Sequence, residues 1–302
     1  MLITELRAKG LISPPKWLDD NIVYLTIFGS IAYGAADTTK ISDFDVYGIC
    51  IPNKSEVFPH LKGDIVGFGR NPQRFEQWQQ HHIFDPDALG GKGREYDFSV
   101  YNIVKFFNLL MENNPSCIDT LFTPYECILH ITKVGNLIRD NRRLFLHKGC
   151  WPKFKGYSYS MLHKMNSKTP QVGSKRANLR EEFGFDTKYA MHLVRLLGEA
   201  EMILAEGDLD LRRNSEQLKA IRRGEVSSDD IIKWAQDKEK QLENLYVDSK
   251  LPWGPDEGAI KKLLLECLEL HYGSLSADCI VMPDKYEVVL RKIKEEIEKS
   301  GL

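Results

Sequence analysis

The stretch IFGSIAYGAADTTKISDFDVYG, residues 27–48, contains the residues that decide the fold. It overlaps the β-branched and aromatic run NIVYLTIF of residues 21–28, which predicts a buried strand that ends at Gly29. Residues 30–36 can form the first turns of a helix, and residues 43–51 predict a second strand. The stretch therefore predicts two strands joined through a tight turn and a short helix.

Two aspartates stand one residue apart in the second predicted strand. Because residues i and i+2 of a strand point to the same face, the carboxylates of Asp43 and Asp45 project together. Two such carboxylates repel each other and are tolerated when a divalent cation lies between them. Oxygen ligands in a partly open site suit Mg²⁺, which also binds substrate phosphates. The pair predicts a magnesium site, with Mn²⁺ as an alternative ion.

A glycine and a serine lie where the first predicted strand meets the following helix. Gly29 lets backbone N–H groups approach a phosphate closely, and a helix N-terminus favours negative charge. The Ser30 hydroxyl adds one more donor. Together with Asp43 and Asp45, these residues predict a site for a nucleoside triphosphate and its metal ion. The alternative is a strand–turn–strand unit with a solvated acidic edge.

The spacing resembles that of the DNA polymerase β-like nucleotidyltransferase superfamily, whose motif is Gly-Ser, a spacer and an apolar-flanked Asp-x-Asp. The segments SIAYG, YDFSVYNIVKFFNLLMENNPSCIDTLF and KRANLREEFGFDTKYAMHLVRLL resemble its YcgL-like, RNA-repair-pathway branch, some members of which are phage-encoded. This resemblance covers residues 22–52 and 95–226, and Asp119 stands where the branch usually has Glu. The residues that match the superfamily motif are Phe28, Gly29, Ser30, Ser42, Asp43, Asp45 and Val46.

The resemblance implies an α+β fold with two domains. Residues 1–115 would form a minimal polymerase-β-like nucleotidyltransferase domain, a small mixed sheet with flanking helices, and residues 116–302 a mostly helical domain that binds nucleotide and acceptor. It implies transfer of a nucleoside monophosphate from an NTP to an acceptor hydroxyl with release of pyrophosphate. The RNA-repair label implies an RNA acceptor, such as a tRNA or a damaged RNA end. A small-molecule or protein acceptor, or a non-catalytic nucleotide-binding module, is the alternative.

The superfamily also needs a third carboxylate, which helps to hold the metal and takes the proton from the attacking hydroxyl. We expect this residue to be Asp97, because a carboxylate in its apolar surroundings is costly without a metal. Glu95 shares its face and could substitute, and the alternative role for Asp97 is to cap a helix over residues 99–112. The acidic residues considered for this position are Asp64, Asp85, Asp87, Glu95 and Asp97.

A polar stripe is predicted on a helix of the second half. In FDTKYAMHLVRLL, Asp186 predicts an N-cap, and Lys188, His192 and Arg195 share one face at positions i, i+4 and i+7. Such side chains suit a triphosphate or an RNA phosphate, whereas the alternative is a solvated face. The other expected nucleotide contacts are Tyr33, Lys175 and Arg176.

Basic residues outnumber acidic ones between residues 153 and 195, by nine to three. They alternate with aromatic residues, a pattern that suits a polynucleotide acceptor or the triphosphate tail alone. The basic residues are Lys153, Lys155, Lys164, Lys168, Lys175, Arg176, Arg180, Lys188 and Arg195.

The remaining sequence gives weaker signals. Residues 53–94 predict a hairpin or a long loop with one or two short strands, and residues 116–148 predict helices, as do most later segments. The pair His81-His82 with Asp85 and Asp87 also permits a zinc interpretation, although adjacent histidines rarely bind one ion unless a strand or loop turns them alike.

Composition limits the class of protein. The 302 residues carry a formal net charge of −2, which does not favour a wholly cationic nucleic-acid binder. Six cysteines without a C-x-x-C pair indicate a reduced compartment rather than a disulfide framework. The N-terminus lacks the apolar segment of a signal peptide, and no run of 18 apolar residues occurs. We therefore expect a soluble cytoplasmic protein.

Overall fold

The protein is built on a five-stranded mixed sheet. The computed structural model describes residues 1–36, 43–65, 67–69, 73–166, 175–273 and 285–300. The strands are β1 Ile22–Ile27, β2 Phe44–Cys50, β3 Gln77–Asp85, β4 Arg94–Asn102 and β5 Ile128–Ile131. Their order in the sheet is β3-β4-β2-β1-β5. Strands β2 and β4 are parallel, and the other neighbouring pairs are antiparallel.

Helices precede, connect and follow the strands, so the fold is α+β as expected. The α-helices are α1 Leu2–Ala8, α2 Gly29–Ala32, α3 Lys54–Val57, α4 Ala88–Gly91, α5 Ile103–Met111, α6 Pro115–Phe122, α7 Lys133–Asp140, α8 Cys150–Asn166, α9 Lys175–Phe183, α10 Thr187–Glu206, α11 Ser215–Arg222, α12 Ser228–Asp248, α13 Glu257–Tyr272 and α14 Lys285–Ser300. Short 3₁₀ helices are Asp19–Asn21, Pro59–Lys62, Tyr125–Cys127 and Arg142–Phe145.

The sheet is covered on both faces. Helix α1 packs on one side, where Leu6, Val46 and Phe98 belong to a small apolar core. A larger core on the other side joins the sheet to the later helices and includes Tyr24 and Phe106. Every residue of β1 is buried, which explains why its sequence is apolar throughout instead of alternating.

The structure confirms the strand–helix–strand prediction for residues 21–51 and corrects one other. In the weakly patterned region 53–94, the expected hairpin is formed by β3, a strand of nine residues that pairs antiparallel with β4. The helical prediction for residues 116–148 is wrong at β5, which pairs with β1 between helices α6 and α7. Its four residues are too few to show a strand period, and pairing with the edge of β1 decides their conformation.

Helix α10 begins where Asp186 predicts it. The Asp186 carboxylate accepts hydrogen bonds from the backbone N–H groups of Lys188 and Tyr189 at 3.0 and 3.1 Å. Gly184, with a φ of +81°, separates α9 from α10. The domain boundary expected at residue 115 stays a prediction. Strand β5 of the sheet lies after this residue, and the larger core contains residues from both sides of it.

The described cysteines are all buried free thiols: Cys50, Cys117, Cys127, Cys150 and Cys267. Cys279 lies outside the described residues. Across the ranges that the structure describes, no helix is both long enough and apolar enough to span a bilayer.

Candidate active site

The parallel strands β2 and β4 bring two of the expected carboxylates face to face. Their register places Asp45 directly opposite Asp97. Because side chains alternate along a strand, Val46 points to the small core on the other face, and Asp43 shares the side of Asp45. Asp43 is exposed one residue before β2, whereas Asp45 is half-buried. We call Asp43, Asp45 and Asp97 the carboxylate cluster.

The electrostatics of the carboxylate cluster favour a cation. Burial, with the Asp97 and Asp43 carboxylates beside it, raises the pKa of Asp45 to about 6, although Lys188 and His81 act in the opposite direction. The three carboxylates thus lie on one side of β2 and β4 in a partly open setting, and carboxylate oxygens are the ligands that hard divalent cations prefer. The three side chains therefore fit Mg²⁺ in donor type and in charge.

The turn at Gly29 packs directly against the carboxylate cluster. Gly29 has a φ of +68°, and a Cβ placed on it would lie 2.2 Å from the Oδ2 atom of Asp45. The backbone N–H of Phe28 donates to the carbonyl of Asp45 at 2.7 Å. A side chain at position 29 would displace Asp45, so glycine is required there for both conformation and space. Ser30 is half-buried in the next position, and Ser42 lies outside the described residues.

Among the five acidic candidates for the third carboxylate, Asp97 is the one opposite Asp45. It does not cap a helix, because Asn102 caps α5 by accepting from the N–H of Val104 at 2.9 Å. Asp85 is buried, and its carboxylate pairs with Lys9 at 2.7 Å. Asp85 is therefore not available as a ligand for the zinc ion that the sequence permits at His81-His82. Asp64 and Asp87 are exposed.

A bulge in β3 turns two histidines toward the carboxylate cluster. Gln80 pairs with Phe98 and Ile83 with Tyr96, so His81 and His82 together face the position of Asp97. The backbone N–H of His82 donates to Asp97 Oδ1 at 2.6 Å, and His82 Nδ1 lies 2.8 Å from Glu95 Oε1. The hydrogen bond with Glu95 raises the pKa of His82, and Asp97 adds to this. The sequence signal was the histidine pair, but the bulge that orients it was not predictable.

Helix α10 contributes a cation from the helical half. Lys188 is exposed at the start of α10, and the positive charge of its ammonium group offsets part of the rise in the pKa of Asp45. His192 lies one turn further along and is half-buried. The start of α10 therefore brings the charge of Lys188 within electrostatic reach of the carboxylate cluster.

Tyr33 and Arg195, for which we expected nucleotide contacts, lie in the interior instead. Arg195 Nη1 is 2.5 Å from Asp119 Oδ2 and 2.8 Å from each carboxylate oxygen of Glu199. The Tyr33 hydroxyl donates to Asp119 Oδ2 at 3.0 Å, and the guanidinium carbon of Arg195 is 4.3 Å from the centre of the Tyr33 ring. We call Tyr33, Asp119, Arg195 and Glu199 the buried ionic network.

The buried ionic network has its partners within the chain. The exposed fractions of the Arg195, Asp119 and Glu199 side chains are 9%, 0% and 2%. Tyr33 follows α2, Asp119 belongs to α6, and Arg195 belongs to α10, so the network fastens the two halves together. Helical periodicity placed Arg195 on the face of Lys188 but could not show how deeply each residue lies.

The basic stretch is partly neutralised by acidic residues from elsewhere in the chain. Lys153 pairs with Glu112 at 3.0 Å, and Lys155 pairs with Glu239 and Glu243 at 2.8 and 2.6 Å. Counting charges along the sequence therefore overstates the local surplus. Arg180, also in this stretch, donates a hydrogen bond to the Lys164 carbonyl. Lys168 and the side chains of Lys175 and Arg176 lie outside the described part of the chain.

Comparison with known proteins gives the family. A solved nucleotidyltransferase-like protein from Exiguobacterium sibiricum 255-15 aligns over 88% of this chain and 78% of its own, at 10% identity and a TM-score of 0.27. A TM-score this low supports no inference about the site. No protein of curated function matches the chain. The RlaP family, described as the RNA repair pathway DNA polymerase beta family, matches residues 12–263. The match covers most of the chain, which therefore belongs to the RNA repair pathway DNA polymerase beta family.

Proposed function

We propose that the protein is a Mg²⁺-dependent nucleotidyltransferase that moves a nucleoside monophosphate from an NTP to a hydroxyl of RNA. The observation that carries the proposal is the in-register placement of Asp45 against Asp97, with the Gly29 turn packed on Asp45. Family membership supports the nucleotidyltransferase class.

The carboxylate cluster would hold the metal. Asp43, Asp45 and Asp97 supply the oxygen ligands that Mg²⁺ prefers, and Mn²⁺ would accept the same set. The bound ion would supply charge stabilisation for the attacking and leaving oxygens of the phosphoryl transfer. Asp97 would in addition accept the proton of the acceptor hydroxyl, since a base must lie within hydrogen-bond reach of that proton.

The triphosphate would lie between the Gly29 turn and helix α10. Backbone N–H groups at Gly29 and the hydroxyl of Ser30 would hold the β- and γ-phosphates. Lys188 would add positive charge from the opposite side, and the effect of Lys188 on Asp45 supports this placement. His192 would extend this contact surface one turn along α10.

An RNA acceptor is supported by the name of the family. A tRNA or a damaged RNA end supplies the terminal hydroxyl that the reaction requires. Contacts with the phosphates of RNA would make binding weaken steeply with salt, because they release counterions. A flat response to salt would favour a small-molecule or protein acceptor.

The test uses purified protein, Mg²⁺ and each of four α-labelled NTPs, with and without total RNA. We expect label in RNA, with one NTP preferred, and no label in RNA with Asp45→Ala. Label on the protein, or pyrophosphate release without labelled RNA, would indicate that the acceptor is a protein or a small molecule and not RNA. Binding of NTP without turnover on any acceptor would contradict the enzymatic proposal and favour a nucleotide-binding module.

A further inference from the structure

We propose that His82, Glu95 and Asp97 form a second metal site, for a transition-metal dication of the zinc type. One ligand atom from each residue, an imidazole nitrogen and two carboxylate oxygens, lies within 4.8 Å of the others. The site adjoins the carboxylate cluster and shares Asp97 with it. Its other two ligands, His82 and Glu95, belong to β3 and β4 and not to the carboxylate cluster.

The bulge in β3 gives this site its geometry. Two residues of β3 stand opposite Asp97, so both imidazoles reach the same side of the strand. His82 adopts a φ of +56°, which directs its ring to Glu95, while His81 Nδ1 lies 3.7 Å from Asp97 Oδ1. The usual objection to adjacent histidines, that a regular strand points them in opposite directions, does not apply here.

The donor set distinguishes this site from a magnesium site. An imidazole nitrogen suits zinc-type ions, whereas Mg²⁺ prefers oxygen alone. Zinc bonds to nitrogen and oxygen are about 2.0–2.2 Å long, which places ligands of a tetrahedral ion roughly 3.4 Å apart. The present spacings bracket that value: His82 Nδ1 lies 2.8 Å from Glu95 Oε1, and the three ligand atoms lie within 4.8 Å of one another. The side chain of His82 is 82% exposed, so an ion can enter from solvent.

Three protein ligands leave the fourth position of a tetrahedral ion open. A water or a substrate oxygen would fill it, with His81 next to it on the bulge. The inference does not require nucleotidyltransferase activity, because the ion would bind in the absence of NTP.

The test titrates the full chain with Zn²⁺ in excess Mg²⁺ by calorimetry and repeats the titration with Co²⁺, followed by visible absorption. We expect one Zn²⁺ per chain, and a Co²⁺ spectrum of nitrogen and oxygen ligation. His82→Asn and Glu95→Gln should each weaken binding by more than about tenfold. Asparagine tolerates a positive φ, so His82→Asn removes the imidazole while preserving the bulge. The matched control is His163→Asn, at an exposed histidine of α8.

Three results would overturn the site. They are no Zn²⁺ binding, binding that His82→Asn and Glu95→Gln leave unchanged, and a Co²⁺ spectrum with thiolate charge-transfer bands. Asp43→Asn separates the two proposals: it should weaken Mg²⁺-dependent NTP binding while Zn²⁺ binding persists. If the parent chain bound Zn²⁺ at this site but transferred no NMP from any NTP, that result would count against the proposed function alone.

Discussion

Two groups of acidic side chains in this protein have opposite relations to the rest of the chain. In the buried ionic network, Arg195 lies between Asp119 and Glu199 and bonds to both. In the carboxylate cluster, Asp45 faces Asp97, and the main cation that acts on Asp45 is the exposed Lys188. The chain supplies the first group with a buried guanidinium that bonds to both carboxylates, whereas the cation that acts on Asp45 in the second group is exposed.

This difference separates residues that hold the fold from residues that can hold a ligand. A buried ion pair whose charges are matched costs desolvation energy but leaves little to be gained from a ligand. A partly open cluster of like charges gains stability when a cation binds. The predictions below disturb one group at a time.

The largest expected effect is the loss of activity on neutralising the carboxylate cluster. Asp45→Asn should lower turnover about a thousandfold or more, since a metal ligand that contributes several kcal/mol of charge stabilisation is lost. The folded state should not suffer, because burial already disfavours the ionised form of Asp45. Single-turnover kinetics measure the loss of turnover, and thermal unfolding measures the stability of the folded state. A lowered Tm would contradict the expectation that the fold is unaffected.

Removing the cation of the buried ionic network should mainly lower the stability of the folded state, the reverse of what we expect for Asp45→Asn. Arg195→Met leaves Asp119 and Glu199 buried without their common partner and should destabilise the protein by about 3–5 kcal/mol. Urea unfolding measures this loss. The control combines Arg195→Met with Asp119→Leu and Glu199→Leu, which removes every charge and should restore much of the stability. A single variant as stable as the parent chain would mean that the network is not compensated as described.

The sequence predicted the carboxylate cluster better than the network. Asp43 and Asp45 follow from strand alternation alone, and the Gly29 turn follows from its place after β1. The position of Asp97 opposite Asp45 depends on the parallel register of β2 and β4, which no local pattern specifies. The family resemblance called for a third carboxylate, and the apolar surroundings of Asp97 selected it among the five candidates.

The errors have a common physical cause. Whether Arg195 is exposed or buried depends on Asp119, which lies 76 residues earlier in the chain. The bulge at His81 and His82 and the strand β5 likewise depend on pairing between segments distant in sequence. In β2 and α10, local patterns predicted which residues share a face but not how deeply each residue is buried or which residue it contacts.

A glycine substitution can sharpen the comparison by disturbing the carboxylate cluster through space alone. Gly29→Ala places a Cβ 2.2 Å from Asp45 Oδ2 in a backbone with a φ of +68°. Gly10→Ala has nearly the same φ, +72°, with nothing within 4 Å, so it measures the backbone cost alone, about 1–2 kcal/mol.

The excess destabilisation of Gly29→Ala over Gly10→Ala should be about 1–3 kcal/mol, the cost of overpacking. Weaker NTP binding should accompany it, since the turn and Asp45 would move apart. Chemical denaturation and NTP titration of both variants measure the two effects. Equal stability and equal NTP affinity in the two variants would show that the contact between Gly29 and Asp45 has no role.

A further expected effect, spread over several pH units, concerns the pH dependence of the stability that the buried ionic network provides. Burial, together with the Asp119 carboxylate, raises the pKa of Glu199 to about 8, although Arg195 opposes this rise. Since this pKa lies above the ordinary value of 4.5, protonated Glu199 contributes stability that is fully present below about pH 4.5 and is lost as the pH rises through about 8.

Glu199→Gln should flatten this dependence while keeping the shape of the side chain. The slope of unfolding free energy against pH should change by at most about 1.4 kcal/mol per pH unit between pH 5 and 8, the equivalent of one proton. Urea midpoints across this range, compared with those of Glu201→Gln on the surface of α10, provide the measurement. Parallel curves for the parent chain and Glu199→Gln would mean that Arg195 compensates both carboxylates fully, and the contrast with the carboxylate cluster would then be greater still.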